Sequence, residues 1–131
     1  MLRGRKQEDF ISYLSDDPAA CANCHVMREQ YESFLHSSHR PHTDCNSCHT
    51  PKGFFGKWHT KALNGWSHSV AFITGNYRDP IFIKEKNLNI VLKNCVACHS
   101  EIVSHMGLDP KDLVSMACTR CHGNVGHRAN K

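Results

Sequence analysis

The chain has 131 residues, enough for one domain, and a formal net charge of +4 with its 11 histidines counted neutral. Aromatic residues make up 8% and the mean hydropathy is −0.50, so the polypeptide alone buries little apolar surface. No apolar run approaches the roughly 18 residues of a membrane-spanning helix; the longest, at 70–73 and 89–92, are far shorter, which excludes a spanning helix built from them.

Residues 1–16 read as an N-terminal arm or as the remnant of a membrane anchor. They lack the apolar stretch of a signal peptide. Residues 10–14, Phe-Ile-Ser-Tyr-Leu, suit the interfacial end of an anchor, with Tyr13 at headgroup level, as well as they suit a plain arm. Asp17-Pro18 is a helix start, Asp as cap and Pro in the first turn, leading straight into Cys21-Ala-Asn-Cys24-His25. Residues 26–37 suit a helix with Tyr31, Phe34 and Leu35 on one stripe. His36 and His39 can share a face, but Pro41 breaks the helix before His42, so a three-histidine metal site is not expected there. After Cys45-Asn-Ser-Cys48-His49 comes a long insertion, 51–94, with a helix expected at 54–66. It carries Lys57 and Lys61 four apart on one face, and Phe54, Phe55, Trp58 and Trp66 as packing or interfacial aromatics. Tyr77-Arg-Asp-Pro80 is a turn before Cys95-Val-Ala-Cys98-His99. Asp109-Pro110 starts a further helix, with Asp112 in its first turn, running into Cys118-Thr-Arg-Cys121-His122. No strand pair is convincing, so the fold is expected to be all-α and irregular, of short helices and loops.

Every cysteine belongs to a Cys-x-x-Cys-His unit, and there are four such units among eight cysteines. Zinc ribbons or a disulfide framework also use paired cysteines, but neither requires a histidine after the second cysteine, and here all four units have one. The pattern is that of covalent haem c attachment. Cys at i and i+3 and His at i+4 lie on one side of a helical turn, so two thioethers and one imidazole meet one porphyrin. Four haems bring eight propionate carboxylates, which answer the Lys and Arg excess, so the positive charge carries no nucleic-acid inference. Four porphyrins also supply the core that the composition lacks, and the apoprotein is expected not to fold stably. Attachment through this motif takes place outside the cytoplasm in bacteria. The chain is therefore expected on the periplasmic side of the cytoplasmic membrane, with its leader or anchor upstream of the given Met1. The motifs fall into two similarly spaced pairs, giving a haem pair at 17–50, the insertion at 51–94 and a second pair at 95–127 within a tetrahaem domain of 17–131.

Each iron has two axial positions. The motif histidines His25, His49, His99 and His122 are the default ligands, and His36, His39, His42, His59, His68, His105 and His127 remain to fill sixth positions. The first motif alone continues to a methionine, Met27, which on residue type alone reads as a gap-filling core residue.

These segments together resemble the NapC/NrfH family of tetrahaem quinol dehydrogenases, most of all the small subunits of cytochrome c nitrite reductases. The resemblance rests on Cys21-Ala-Asn-Cys-His-Val-Met27, Ser38-His39 before Cys45, Lys61-Ala62 after the second motif, and Cys121-His-Gly-Asn-Val-Gly-His127, and covers nearly all of 17–127. It implies that Met27 rather than His25 holds haem 1, that His49 and His127 hold haem 2, and that His99 and His39 hold haem 3. It implies His122 on haem 4, with a lysine from the catalytic subunit of a multihaem nitrite reductase as sixth ligand; His105 is the candidate within this chain. It implies that Lys61 serves menaquinol oxidation, where a cation stabilises the developing quinol anion. His68 stands where the family can have an aspartate near haem 1, and it either binds that iron or accepts a quinol proton. His36, His42 and His59 read as non-ligands. The expected function is to take electrons from menaquinol at a membrane surface and pass them singly to a periplasmic reductase. The rivals are an electron-transfer module without quinol activity and an enzyme acting at an open haem.

Overall fold

The computed structural model describes residues 10–78, 80–107, 112 and 118–128. Among them there is no strand. A 3-10 turn at Phe10–Leu14 precedes helices α1 (Pro18–Cys21), α2 (Arg28–Leu35), α3 (Cys45–His49), α4 (Phe54–Thr74), α5 (Glu85–Cys98) and α6 (Ser100–His105). Two further 3-10 turns, His25–Met27 and Cys118–Arg120, belong to the first and fourth motifs.

Local chemistry sets most boundaries. Asp17 caps α1 by accepting from Ala19 N, with Pro18 opening the helix as expected. Asp44 and Ser47 form a reciprocal capping box on α3: Asp44 Oδ1 accepts from Ser47 N at 2.7 Å, and Asp44 N donates to Ser47 Oγ at 3.3 Å. The helix anticipated at 26–37 begins as a 3-10 turn and ends at Leu35, before His36 and well before Pro41. The helix anticipated at 54–66 runs on to Thr74, because nothing in 67–74 breaks it until Gly75 caps it at φ +66°. Helix α5 was not anticipated beyond its apolar stretch at 89–92; Glu85 in its first turn is its only local start signal. The helix expected from Asp109-Pro110 lies outside the described residues.

The apolar core is as thin as the composition requires. Phe34 and Leu92 are the buried hydrophobic side chains among the described residues. Polar groups do much of the joining: Asn94 on α5 donates to the carbonyls of Cys48 (2.9 Å) and Thr50 (2.8 Å), fastening the end of α3, against which α5 packs. No described helix is long and apolar enough to cross a membrane.

Candidate haem-binding and quinol site

The four motifs adopt two kinds of backbone. In α3 the whole unit Cys45–His49 is helical. The third unit ends α5, where His99 N donates to Cys95 O at 2.9 Å, and the fourth repeats that bond from His122 N to Cys118 O at 2.9 Å. Each therefore sets its two sulfurs and its imidazole along one turn. The first unit departs from this. Helix α1 stops at Cys21, and a bond from Met27 N to Cys24 O at 2.8 Å begins a new 3-10 turn. His25 is exposed and turns its ring edge-on to Phe72 of α4, centres 6.2 Å apart, while Met27 is half-buried.

No two of the eight cysteines are joined as a disulfide, and no three Cys, His, Asp or Glu among the described residues gather as a zinc site would require. Consecutive motifs meet in space. The thiols of Cys21 and Cys45 lie within hydrogen-bonding reach, Cys48 lies near Cys98, and Cys95 near Cys118.

Two imidazole pairs form across the fold. The rings of His49 and His127 are near-parallel with centres 5.9 Å apart, and those of His39 and His99 lie 6.0 Å apart. Imidazole nitrogens bind metals at about 2.0 Å, with the ring centre roughly 1.1 Å behind, so two axial imidazoles on one iron put their centres about 6 Å apart. The residues present therefore fit a haem iron between each pair. Hydrogen bonding fixes the tautomers to match. His39 Nδ1 faces Val125 O at 3.0 Å and His127 Nδ1 faces Arg128 O at 3.3 Å; a carbonyl only accepts, so each Nδ1 carries the proton and each Nε2 keeps its lone pair. Burial, reinforced by neighbouring His127, pushes His49 down to about 4, so it stays neutral, the form that ligates. His122 and His105 are both exposed.

Lys61 is 5% exposed. Its ammonium donates to the carbonyls of Tyr13 (3.2 Å), Leu14 (3.2 Å) and Ser15 (2.8 Å), with Asp16 Oδ1 at 3.5 Å, and lies 5.5 Å from the centre of the Trp58 ring. It thus caps the C-terminal end of the first 3-10 turn. Tyr13 returns the contact, its hydroxyl donating to Lys61 O at 3.2 Å. The Tyr13 ring covers Gly65, where a Cβ would sit 3.1 Å from Cε1. Lys57 reaches the same Asp16 at 2.6 Å and holds its carboxyl below the usual carboxylate range. The positive charge of Lys61 also acts on Cys21, so the cation stands beside the first motif. His68 lies two turns further along the same face of α4; burial and the charge of Lys84 lower its pKa. The sequence singles out Lys61 but not Asp16, and leaves Tyr13 between a lipid interface and a plain arm; Gly65, four residues beyond Lys61, is the sign that a ring packs closely there.

Comparison with known proteins shows which family the chain resembles. The family described as cytochrome c554 and c-prime matches residues 44–123. The cytochrome c-type protein NrfH of Wolinella succinogenes is 42% identical over 127 residues, covering 89% of this chain and 72% of the relative. The cytochrome c nitrite reductase subunit NrfH of Nitratidesulfovibrio vulgaris is 30% identical over 118 residues, covering 89% and 71%. The chain belongs to the NrfH family of c-type cytochromes. A crystal structure of a cytochrome c nitrite reductase NrfHA complex bound to the HQNO inhibitor superposes with a TM-score of 0.74 at 28% identity, over 93% of this chain and 81% of that one. Membership in the NrfH family makes haem c the cofactor and accounts for an irregular all-α fold.

Proposed function

We propose that this chain is a tetrahaem cytochrome that takes electrons from menaquinol at the periplasmic face of the cytoplasmic membrane and passes them to the catalytic subunit of cytochrome c nitrite reductase. Haem iron, alternating between two oxidation states, supplies one-electron steps between a two-electron donor and the reductase. The observation that carries the reading is the pair of imidazole couples at iron-bridging separation in a chain with four attachment motifs. On this reading Met27 serves haem 1, His49 and His127 haem 2, and His99 and His39 haem 3. His122 serves haem 4, whose other side takes a lysine of the reductase, with His105 as the alternative in this chain. Eight thioethers from Cys21, Cys24, Cys45, Cys48, Cys95, Cys98, Cys118 and Cys121 fix the order of the haems along the chain.

At the quinol site, Lys61 acts by its charge. Its donors go to backbone carbonyls, so it stabilises negative charge on a quinol oxygen through space beside the first motif. His68, held neutral, accepts the proton. The engagement of Lys61 also favours a second reading, an electron-transfer module with no quinol activity, in which the lysine only ties the N-terminal turn to α4. Mixing the oxidised holoprotein with a menaquinol analogue separates the two. The first reading expects rapid reduction of the haem bands by quinol, lost in Lys61→Ala while dithionite still reduces all four haems. Absence of quinol reduction in the parent protein would leave the second reading.

A further inference from the structure

Helix α4 presents its apolar residues the wrong way for a core helix. The face carrying Lys57, Lys61, Asn64 and His68 is turned toward the rest of the molecule: Lys57 and Lys61 meet Asp16, and Asn64 accepts from Asn87 at 3.3 Å. On the opposite face Phe55, Trp66 and Ile73 fall in one line along the helix. They are 86%, 74% and 80% exposed, with Leu63 and Val70 exposed beside them. Single exposed apolar residues are ordinary, but five large ones grouped on one side of a 21-residue helix mark a contact surface.

Charge identifies the partner. No Asp or Glu occurs between Asp44 and Asp79, so the outward face of α4 carries no carboxylate, while Lys57 and Lys61 belong to its inward face. Next to the stripe an open cleft of about 440 Å³ between α4 and α5 is lined by His59, Lys86 and Lys93. An apolar stripe of Phe, Trp, Leu and Ile flanked by lysines, on a helix too polar to span a bilayer, is the signature of a helix lying in the interface plane. Acyl chains take the stripe, and the lysines meet anionic headgroups.

We propose that the outward face of α4 is a membrane-docking surface, on which the chain lies against anionic phospholipid with Phe55, Trp66 and Ile73 inserted among the acyl chains and Lys86 and Lys93 on the headgroups. The inference deepens the membrane-surface part of the proposed function and places Lys61 and His68 on the face of α4 directed away from the lipid.

The test is flotation of the haem-loaded chain, residues 1–131, with quinone-free vesicles of phosphatidylglycerol and phosphatidylcholine, followed by Soret absorbance. Binding is expected to be at least tenfold stronger to vesicles rich in phosphatidylglycerol than to pure phosphatidylcholine, and to weaken with salt. The triple substitution Phe55→Ser, Trp66→Ser, Ile73→Ser is expected to lower it at least tenfold with haem content and helicity unchanged. Lys86→Gln with Lys93→Gln is expected to remove most of the preference for the anionic lipid. Equal binding by parent and triple variant, or no binding by the parent, overturns the proposal. So does a triple variant that keeps vesicle binding but no longer associates with the reductase catalytic subunit, since the stripe then faces protein. Because no quinol is present, failure of the quinol reading leaves this result untouched, and a failed flotation leaves quinol reduction in detergent to be judged separately.

Discussion

The imidazole planes of His49 and His127 lie only 11° apart, although one residue sits in the second attachment motif and the other near the end of the chain. The His39 and His99 planes instead meet at 69°. On the proposed ligation, these are a near-parallel and a near-perpendicular pair of axial ligands. Electron paramagnetic resonance of the oxidised protein should therefore contain two distinct low-spin signals, one rhombic and one strongly axial. His127→Ala should remove the rhombic signal alone and convert about a quarter of the iron to a high-spin form. A variant spectrum identical to the parent's would refute the assignment of His127.

The clamp between Tyr13 and α4 has a measurable cost of removal. Tyr13→Phe deletes the hydroxyl bond to Lys61 O and should cost about 1 kcal/mol. Gly65→Ala pushes a methyl against the Tyr13 ring, whose neighbouring turn is held by Lys61, and should cost about 1–3 kcal/mol as overpacking. Denaturant titration of the holoproteins measures both. The combined variant should fall short of the sum, because both changes act on one ring.

Asp16 gives the clamp an acid limit. Its carboxyl is held low by the hydrogen bond from Lys57 and by the charges of Lys57 and Lys61. A folded-state pKa below the unfolded value means that the stabilisation is fully present above the ordinary aspartate pKa of about 3.9 and is lost as pH falls through the folded value. Asp16 is about half exposed, so the effect should be under about 1 kcal/mol. The stability gap between the parent protein and Asp16→Asn should be flat at neutral pH and close toward zero in acid. A gap that widens in acid would contradict the pairing.

Lys61 should behave chemically as a buried amine. An amine-acylating reagent at neutral pH should modify exposed Lys52, Lys86 and Lys93 while sparing Lys61, as read by peptide mass spectrometry. Lys61→Ala removes the donor from three carbonyls at once. The segment 13–16 should then exchange its amide hydrogens faster and become open to proteolysis.

With Phe34 and Leu92 as the buried apolar side chains of the described residues, the polypeptide is expected not to fold alone. A variant with all eight cysteines changed to serine should give a disordered circular dichroism spectrum and no cooperative melting. A sharp thermal transition in that variant would show that porphyrin is not what organises the fold.

Much of the site is legible in the sequence because covalent attachment imposes an invariant local spacing. The Cys-x-x-Cys-His units, the Asp17-Pro18 start and the all-α class are local facts, and the structure carries them unchanged. The pairing of His39 with His99 and of His49 with His127 came from resemblance alone, since no local rule links residues so far apart. The expected end of α4 at 66 falls short of Thr74, because a helix propagates at little cost until something like Gly75 stops it. The role of Lys61 as a cap for a distant turn was hidden for a plainer reason. A lysine reads as a surface residue until the carbonyls that receive it are placed.

The carbonyls of Val125 and Arg128 orient His39 and His127, and Arg128 N is itself held by Ser33 Oγ at 2.7 Å. On the proposed ligation, residues 125–128 therefore serve two metal centres at once, one by ligation and one by steering a ligand from the other half of the chain. A stop codon just past Gly123 would disable both centres together. Residues 125–128, in a stretch with no regular secondary structure, are therefore expected to tolerate no deletion.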